Sequence, residues 1–499
     1  MLRVFHVLLL IGKYAILYCL VGLRVYRQSK STLLKHFFEE AGGAFIKFGQ
    51  ILALRVDVLT KDQALALMDL FDQVKPFSYR EVEQICRQEL GTTPDKLFTV
   101  FEKTPFASAS FAQVHAAKLK NGDVVVVKIQ RPGIEETVQA DFTIIDILSF
   151  FADVFYKIDA LPWREFAHEF RLWTTKELNY YIEAENMQKL SESVRKHQVT
   201  NVVIPKSYYR LSTKRVLVQE YIDGVPLSRV LQKMRLGTMT AEKLKKMGID
   251  IKQTPRVMVS EILREYFIDG MFHADPHPGN ILLLPQGKIG IIDFGIVGVS
   301  APKRRAFINF LHASAWSRYK KDQLPKISRY FLQFAGDSIE QLIGSVLAAN
   351  VDQKHINGFM EILSHHLCEH IAAIESEVRE GLNVMKVDHT AILLQMMKFV
   401  QRYRIKLPPS IVVFIRMMSI IGFLAKELDY EFNTSSTVIE FCQKYKDMIV
   451  LPDDDGAVRY KRLNQEVAFD RLNNWMMYLV EKDPKLYQVV SSYIAKYTH

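Results

Sequence analysis

Residues 273 to 280 read His-Ala-Asp-Pro-His-Pro-Gly-Asn, and thirteen residues beyond Asn280 the chain reads Asp293-Phe294-Gly295. Asp, Pro, Gly and Asn are ordinary turn residues, so either segment alone could be a polar turn. Their order and spacing ask for more. A phosphoryl-transfer site needs one carboxylate to orient the attacking group. It also needs an amide oxygen and a second carboxylate to hold the magnesium ions that neutralise the phosphates. Asp275 is the candidate catalytic carboxylate; Asn280, five residues on, and Asp293 are the candidate metal ligands. A short apolar hairpin is expected between the last two.

Upstream, Asn121-Gly122 is a hairpin turn signal, followed by Asp123 and the run Val124-Val125-Val126-Val127-Lys128-Ile129-Gln130. Such a β-branched run predicts a buried strand. A lysine inside it is costly unless its ammonium meets an anion. In protein kinases those anions are a nucleotide phosphate and a helix glutamate; the alternative is an edge-strand lysine reaching out to water. Where a glycine-rich phosphate loop would precede the strand, this chain has Pro105-Phe106-Ala107-Ser108-Ala109-Ser110-Phe111-Ala112-Gln113-Val114-His115. Alanine does not readily adopt the positive φ that glycine allows, so this loop should be stiffer. Serine hydroxyls and backbone N–H groups could still bind phosphate oxygens.

These residues resemble the UbiB-type atypical kinases of ubiquinone biosynthesis, within the protein-kinase-like superfamily. The signature stands here as Lys47-Phe48-Gly49-Gln50, the alanine-rich loop Ala107 to Ser110, Gln113-Val114-His115, Lys128 with Gln130-Arg131-Pro132-Gly133, Glu177-Leu178-Asn179, Glu183, His273 to Asn280, and Asp293. It runs from about Gly42 to about residue 300, and more loosely through the C-terminal part. Asn179 stands where the family often has aspartate, and Ala112 replaces a common glycine; both variants look like those of the bacterial branch.

The resemblance implies an α+β, two-lobed protein-kinase-like fold with ATP and Mg2+ as cofactors. It implies that Ala107, Ser108, Ala109, Ser110, Phe111, Ala112, Gln113, Val114, His115, Lys128, Glu183, Glu220 and Ile222 form the ATP site. Lys128 would bind the α/β-phosphates and pair with Glu183, or less readily Glu177. Asp275 would orient the nucleophile, and Asn280 with Asp293 would hold magnesium. Lys47 and Gln50 would belong to an element folded over the active site, with Glu177 as a partner for Lys47, restricting access of a protein substrate. The implied function is a magnesium-dependent ATP-binding atypical kinase or ATPase supporting isoprenoid quinone biosynthesis at the cytoplasmic face of a bacterial inner membrane. Its implied partners are an isoprenoid lipid or quinone precursor and quinone-biosynthesis enzymes. A small-molecule or lipid phosphotransferase and a nucleotide-gated, non-catalytic scaffold remain as alternatives.

The expected organisation is an amphipathic helix (1–38), a helical extension (39–91), a kinase-like N-lobe (92–225) and a helical C-lobe (226–499). Strands are expected around Phe98–Thr104, Phe111–Lys118, Val124–Gln130 and Val216–Ile222, and helices over Pro132–Asp153 and Trp163–Val194. Apolar helical runs at Asp388–Arg402 and Pro409–Glu427 suggest core. A chain of 499 residues, 49% hydrophobic, can bury a large core and form more than one lobe.

From Met1 to Phe38 there is no acidic residue, and Val4 to Leu23 is apolar except for His6 and Lys13. At about 100° per residue, His6, Lys13, Arg24 and Arg27 share one stripe. A transmembrane helix is long enough, but would place Lys13 near the bilayer centre at about 2.5–3.5 kcal/mol. A transit peptide should be richer in Arg and Ser. A helix lying on an anionic membrane surface fits the stripe best; packing on the protein's own surface is the remaining reading. Asn473–His499 mixes apolar with charged residues, and no pair of strongly apolar C-terminal segments is seen. The four dispersed cysteines, Cys19, Cys86, Cys368 and Cys442, indicate neither a disulfide framework nor a zinc ribbon, and a reducing compartment is the default. His366 and His370 share a helical face, yet the glutamate of an HExxH site is missing. Net charge is +10, but no aromatic-interleaved basic stripe suggests nucleic acid.

Overall fold

The computed structural model describes residues 2–23, 25–53, 59–68, 70, 75–155, 163–300, 304–317 and 409–449, with isolated positions between 477 and 492. Arg24, the His365–His370 cluster, Cys368, the Asp388–Arg402 run and most of Asn473–His499 lie outside the described residues. The chain divides into two compact units. Unit 1 comprises Met1–Thr240, Met247–Ile249 and His277–Val297; unit 2 comprises Ala241–Lys246, Asp250–Pro276 and Gly298–His499.

Unit 1 is built on an antiparallel sheet. Its strands are β1 (Phe98–Phe101), β2 (Ala107–Ser108), β3 (Ala112–Leu119), β4 (Val124–Gln130) and β6 (Val216–Glu220), in the order β1-β3-β4-β6 with β2 beside β3. Along β4 the side chains alternate as a pleat requires. Val125, Val127 and Ile129 are fully buried in one core with Val216, Val218 and with Val82, Ile85 and Cys86 of α5 (Tyr79–Leu90). Lys128 and Gln130 therefore project from the other face. The helix α5 is closed at both ends: Ser78 and Glu81 form a capping box, and Gly91 adopts a left-handed φ of 72°,. A short turn of helix, α6 (Pro94–Leu97), leads into β1.

On the opposite face α9 (Tyr180–Lys196) packs against β6, and α7 (Ile134–Phe155) and α8 (Trp163–Glu177) precede it, packed on each other. The sequence suggested one helix from Trp163 to Val194; the structure breaks it at Leu178-Asn179. Asn179 is extended, and its side-chain oxygen accepts from the Tyr181 N–H at 3.2 Å, as an N-cap does. The residue in the Glu177-Leu178-Asn179 element thus starts α9, two turns of which then set Glu183 and Met187 in the core.

The N-terminal extension folds as α1 (Leu2–Gly22), α2 (Lys30–Ala41), α3 (Ala44–Leu52) and α4 (Lys61–Met68). Val7, Leu10, Phe38, Ala44, Phe45 and Ile51 share a core with Phe142 of α7 and Phe166 and Phe170 of α8. The chain turns between α2 and α3 at Gly42-Gly43. At Gly43, φ is +56°, and a Cβ would sit 2.6 Å from Asp141 Oδ2, so only glycine fits.

A second sheet in unit 1 has the order β5-β10-β9-β7, from Val202–Val203, Ile289–Ile291, Ile281–Leu283 and Val225–Pro226. The β9–β10 pair is the expected apolar hairpin. Because β5 and β7 pair with this hairpin, residues 277–297 fold with unit 1, which runs on past the expected boundary at 225 through α10 (Leu227–Arg235).

Unit 2 contains α11 (Ala241–Lys246), α12 (Gln253–Arg264), β8 (Met271–His273), α13 (Arg304–Ser317), α14 (Pro409–Leu428) and α15 (Thr434–Lys444). Tyr266, Phe267, Phe307 and Phe414 interlock as an aromatic core, Tyr266 and Phe414 with ring centroids 4.2 Å apart. The helix α14 confirms the apolar run at Pro409–Glu427 as core: Ile411, Phe414, Met417, Met418 and Ile421 are all buried.

Candidate active site

Lys128 leaves the sheet on the face that α9 covers. Its Nζ donates to Glu183 Oε1 at 2.6 Å, to Asp293 Oδ2 at 3.4 Å and to the Ile292 carbonyl at 3.3 Å. Glu183 is 2% exposed and also accepts from the Phe294 N–H at 3.4 Å. Burial would lower the lysine pKa, but the Asp293 and Glu183 carboxylates outweigh it and hold the ammonium above the usual lysine range,. Burial, with the Asp293 charge behind it, pushes Glu183 up while Lys128 pulls it back. A helix glutamate and a DFG aspartate thus share the one cation of the strand lysine.

The Asp293-Phe294-Gly295 segment is held from two sides. Asn186 Nδ2 of α9 donates to the Phe294 carbonyl at 3.0 Å, and Gln219 Nε2 of β6 donates to the Ile292 carbonyl at 3.2 Å. The Gly295 N–H returns to Asp293 Oδ1 at 3.1 Å. Asn280 is tied to the same segment, its carbonyl accepting from the Ile292 N–H at 3.1 Å. Asp275 belongs to unit 2, partly buried just after β8.

The donors fit magnesium carried by a nucleotide. Among the described residues no group of three or more His, Cys, Asp or Glu could cage a metal. One carboxylate and one amide suffice where substrate phosphates complete an octahedral oxygen shell. Asp293 keeps 31% of its side chain exposed, which leaves it accessible for that purpose.

Lys47 of α3 pairs with Glu177 at 3.3 Å, and Glu177 Cγ lies 3.1 Å from where a Gly295 Cβ would be. The expected partnerships are therefore sorted: Glu183 takes Lys128, Glu177 takes Lys47. Gln50 donates to the Leu70 carbonyl at 3.1 Å, tying α3 to the segment beyond α4.

The alanine-rich loop divides in two. Ala107 and Ser108 form β2 against Val114 and Gln113, and the Ala109 N–H donates to the Ala112 carbonyl at 2.7 Å, closing a tight turn. Phe111 sits in the extension core. Gln113 and His115 are fully buried: Gln113 Oε1 accepts from the Phe77 N–H at 3.0 Å, and its Nε2 bonds His115 Nε2 at 3.0 Å. His115 Nδ1 donates to the Glu102 carbonyl at 2.7 Å, and burial lowers its pKa, keeping the ring neutral. Expected as ATP contacts, Gln113 and His115 spend their side-chain polar groups inside the lobe and Phe111 buries its ring in the extension core, so these side chains brace the structure. Glu220 ends β6, two residues before the expected end at Ile222. Its carboxylate accepts from the Lys206 N–H at 3.0 Å, and Ile222 packs beside Gly290.

Sequence reading missed Arg131. Its Nη2 donates to Ser108 Oγ at 2.9 Å and to the Ala109 carbonyl at 3.2 Å, so it grips the loop from behind. It also missed Gln130, whose Nε2 donates to the Leu178 carbonyl at 2.7 Å and pins the α8–α9 break to the sheet. Both residues stand in the Gln130-Arg131-Pro132-Gly133 signature, which was the available signal.

Comparison with known proteins bears on this arrangement. Residues 69–323 match the ABC1 atypical kinase-like domain, a span that holds the Lys128, Glu183, Asp275, Asn280 and Asp293 positions. This chain belongs to the ABC1 atypical kinase-like family. The expected UbiB-type membership and kinase-like α+β fold are thereby shown. Over 285 residues the chain is 34% identical to the "Probable protein kinase UbiB" of Marinobacter nauticus, covering 56% of this chain and 50% of that protein. Over 276 residues it is 35% identical to an "Uncharacterized protein in hydrogenase 1 5'region" of Clostridium pasteurianum, covering 55% and 49%. The chain thus spans about half the length of the curated relatives it matches. A solved structure titled as the Rv3197–erythromycin complex from Mycobacterium tuberculosis aligns with a TM-score of 0.48 at 21% identity, over 83% of this chain and 94% of that one.

Proposed function

We propose that this family member binds Mg-ATP and uses it as an atypical kinase or ATPase in support of isoprenoid quinone biosynthesis at a membrane. The observation that carries the reading is the Lys128–Glu183 ion pair at 2.6 Å with Asp293 beside it, since that trio aligns α- and β-phosphates in kinases. Bound magnesium would supply neutralisation of the phosphate charge. Lys128 would exchange its hold on Asp293 for phosphate oxygens, and Asp275 would accept a hydrogen bond from the attacking hydroxyl or water.

The Lys47–Glu177 pair, set against Gly295, supports ATP hydrolysis or a small acceptor over a protein acceptor, because it fixes the extension beside the DFG segment. Membrane association rests on α1. Arg3–Gly22 has a mean hydropathy of 2.1 and is long and apolar enough to cross a membrane. Of the expected basic stripe, His6, Lys13 and Arg27 are exposed, yet two cations of α1 are engaged by the protein itself. Arg3 pairs with the buried Asp141 at 2.7 Å and Lys13 with Glu40 at 2.7 Å, while Phe5, Leu8, Leu9 and Ile16 are 54–64% exposed. The protein's own acids have taken those two cations, so an apolar face would meet the acyl chains. A cytoplasmic membrane face, an isoprenoid lipid or quinone precursor, and quinone-biosynthesis enzymes as partners are part of this proposal.

The test is ATP hydrolysis with and without anionic liposomes and a phenolic isoprenoid mimic. We expect Mg-dependent turnover that rises with both additions and falls about 10²-fold or more in Asp275→Asn, the scale of a lost general base. Labelled phosphate appearing in the lipid would select the phosphotransferase. Nucleotide binding without turnover or transfer under any condition would leave the scaffold.

A further inference from the structure

Within unit 1, between the N-terminal extension and the Ala107–Ser110 loop, lies an open cavity of about 730 Å³. That is the size of a small-ligand site. Lys128, Glu183, Asn280 and Asp293 take no part in its lining, which includes Glu39, Lys75, Ser110, Arg131, Thr137 and Gln232.

Its chemistry favours an anion. Ser110 is 5% exposed, and its hydroxyl has no hydrogen-bond partner among the described residues. The residue is buried, but it lines the open cavity, so its hydroxyl can meet a ligand there. Arg131 spends Nε and Nη2 on the loop, leaving Nη1 out of those bonds. Lys75 stands exposed at the rim. The first turn of α7, a helix of 22 residues, opens on the cavity at Ile134 and Thr137, and helix N-termini attract negative charge. The carboxylates nearby are partly answered: Glu39 has Lys35 at 3.8 Å and Glu135 has Lys214 at 2.8 Å.

We propose that this cavity is an effector site for a molecule bearing a phosphate group, coupled to the nucleotide loop through Arg131. One guanidinium holds Ser108 and Ala109 and faces the cavity, so an anion drawing on it shifts the loop's anchorage. By linkage, phosphate then changes nucleotide affinity and nucleotide changes phosphate affinity by the same factor. The coupling rests on the nucleotide reading of the loop, whereas phosphate binding here requires neither magnesium nor Asp293, so the two can fail separately.

The experiment uses the full chain and calorimetric titration with inorganic phosphate and glycerol 3-phosphate, in the absence and presence of saturating Mg-ATP. A parallel arm uses flotation with phosphatidylglycerol vesicles. The control variant is Lys75→Glu with Gln232→Glu, two exposed positions outside the nucleotide motifs, and Lys75→Glu alone backs it up. We expect binding that persists in saturating Mg-ATP with an altered affinity. In the variant it should weaken about tenfold or more, the scale of one lost charge-assisted contact, while the Mg-ATP thermal shift stays at the wild-type value. If soluble phosphates do not bind but vesicles hold wild type and release the variant, the phosphate is that of a lipid headgroup. Complete displacement by Mg-ATP, binding undiminished in the variant, or no discrimination in either arm overturns the proposal.

Discussion

Lys128 lies on the face of β4 opposite Val125, Val127 and Ile129, so the pleat that buries the valines also delivers the ammonium to Glu183 and Asp293. Removing it should expose how much the trio depends on charge balance. In Lys128→Met, Glu183 would stay buried without a cation, and breaking a buried pair typically costs about 3–5 kcal/mol. Chemical denaturation should show a loss of that order, with Lys128→Met/Glu183→Gln recovering much of it. A second buried acid is Glu265, whose Oε2 accepts from the His273 N–H at 2.8 Å, at the head of the loop carrying Asp275. Burial, with the Glu261 and Asp269 charges, pushes its carboxyl from 4.5 to about 8, although Arg264 opposes this. Arg264 is itself engaged by Glu261 at 2.6 Å and Asp269 at 2.5 Å. In the folded chain Glu265 keeps a proton that the unfolded chain releases near pH 4.5. Its contribution to stability is therefore full below that pH and lost as pH rises through about 8. Thermal melts from pH 4.5 to 8 should show this decline, and Glu265→Gln should flatten it, melting higher than wild type above pH 8 by about 2–4 °C per kcal/mol regained.

At the scale of elements, α1 carries the sharpest consequence. Asp141 is fully buried between Arg3 and the Ala44 N–H, so α1 is clipped to α7, and deleting it would strand that carboxylate. Membrane attachment is better tested on the exposed face. Phe5→Ser, Leu8→Ser, Leu9→Ser and Ile16→Ser together should abolish flotation with anionic vesicles and leave the melting temperature nearly unchanged, since surface substitutions usually move stability by about 0.5 kcal/mol or less each. Retained flotation would move the attachment elsewhere. The cap of α9 gives another measurable term. Asn179→Ala should lower stability by about 0.5–2 kcal/mol, whereas Asn179→Asp, an equally good cap, should not. For the loop, Ala109→Gly should change the ratio of ATP to ADP affinity, because glycine releases a turn that alanine and Arg131 hold. Unchanged affinities for both nucleotides would remove the loop from phosphate binding.

For the whole molecule, the parts legible from sequence are those with local signatures. The valine run marks β4 and the face of Lys128, the apolar stretch between Asn280 and Asp293 marks the β9–β10 hairpin, and the family motifs locate the trio. What stayed hidden depends on long-range partners. Nothing near Arg3 or Lys13 announces Asp141 or Glu40, so two cations of α1 meet the protein's own acids rather than a membrane surface. Gln113 and His115 carry polar groups suited to a nucleotide, yet Phe77 and Glu102 claim them. The break at Leu178-Asn179 is a cap with no glycine or proline to mark it. The membership of residues 277–297 in unit 1 follows from pairing with β5 and β7, which a linear division at 225 could not register. The central claim, that Lys128, Glu183 and Asp293 form a magnesium-nucleotide site, is tested most directly by the thermal shift of the full chain with Mg-ATP. Wild type should be stabilised by RT ln(1 + [L]/Kd), about 2.7 kcal/mol at a hundredfold excess over Kd. Asp293→Asn should lose most of that shift while melting normally without ligand; an identical shift in wild type and Asp293→Asn would contradict the account.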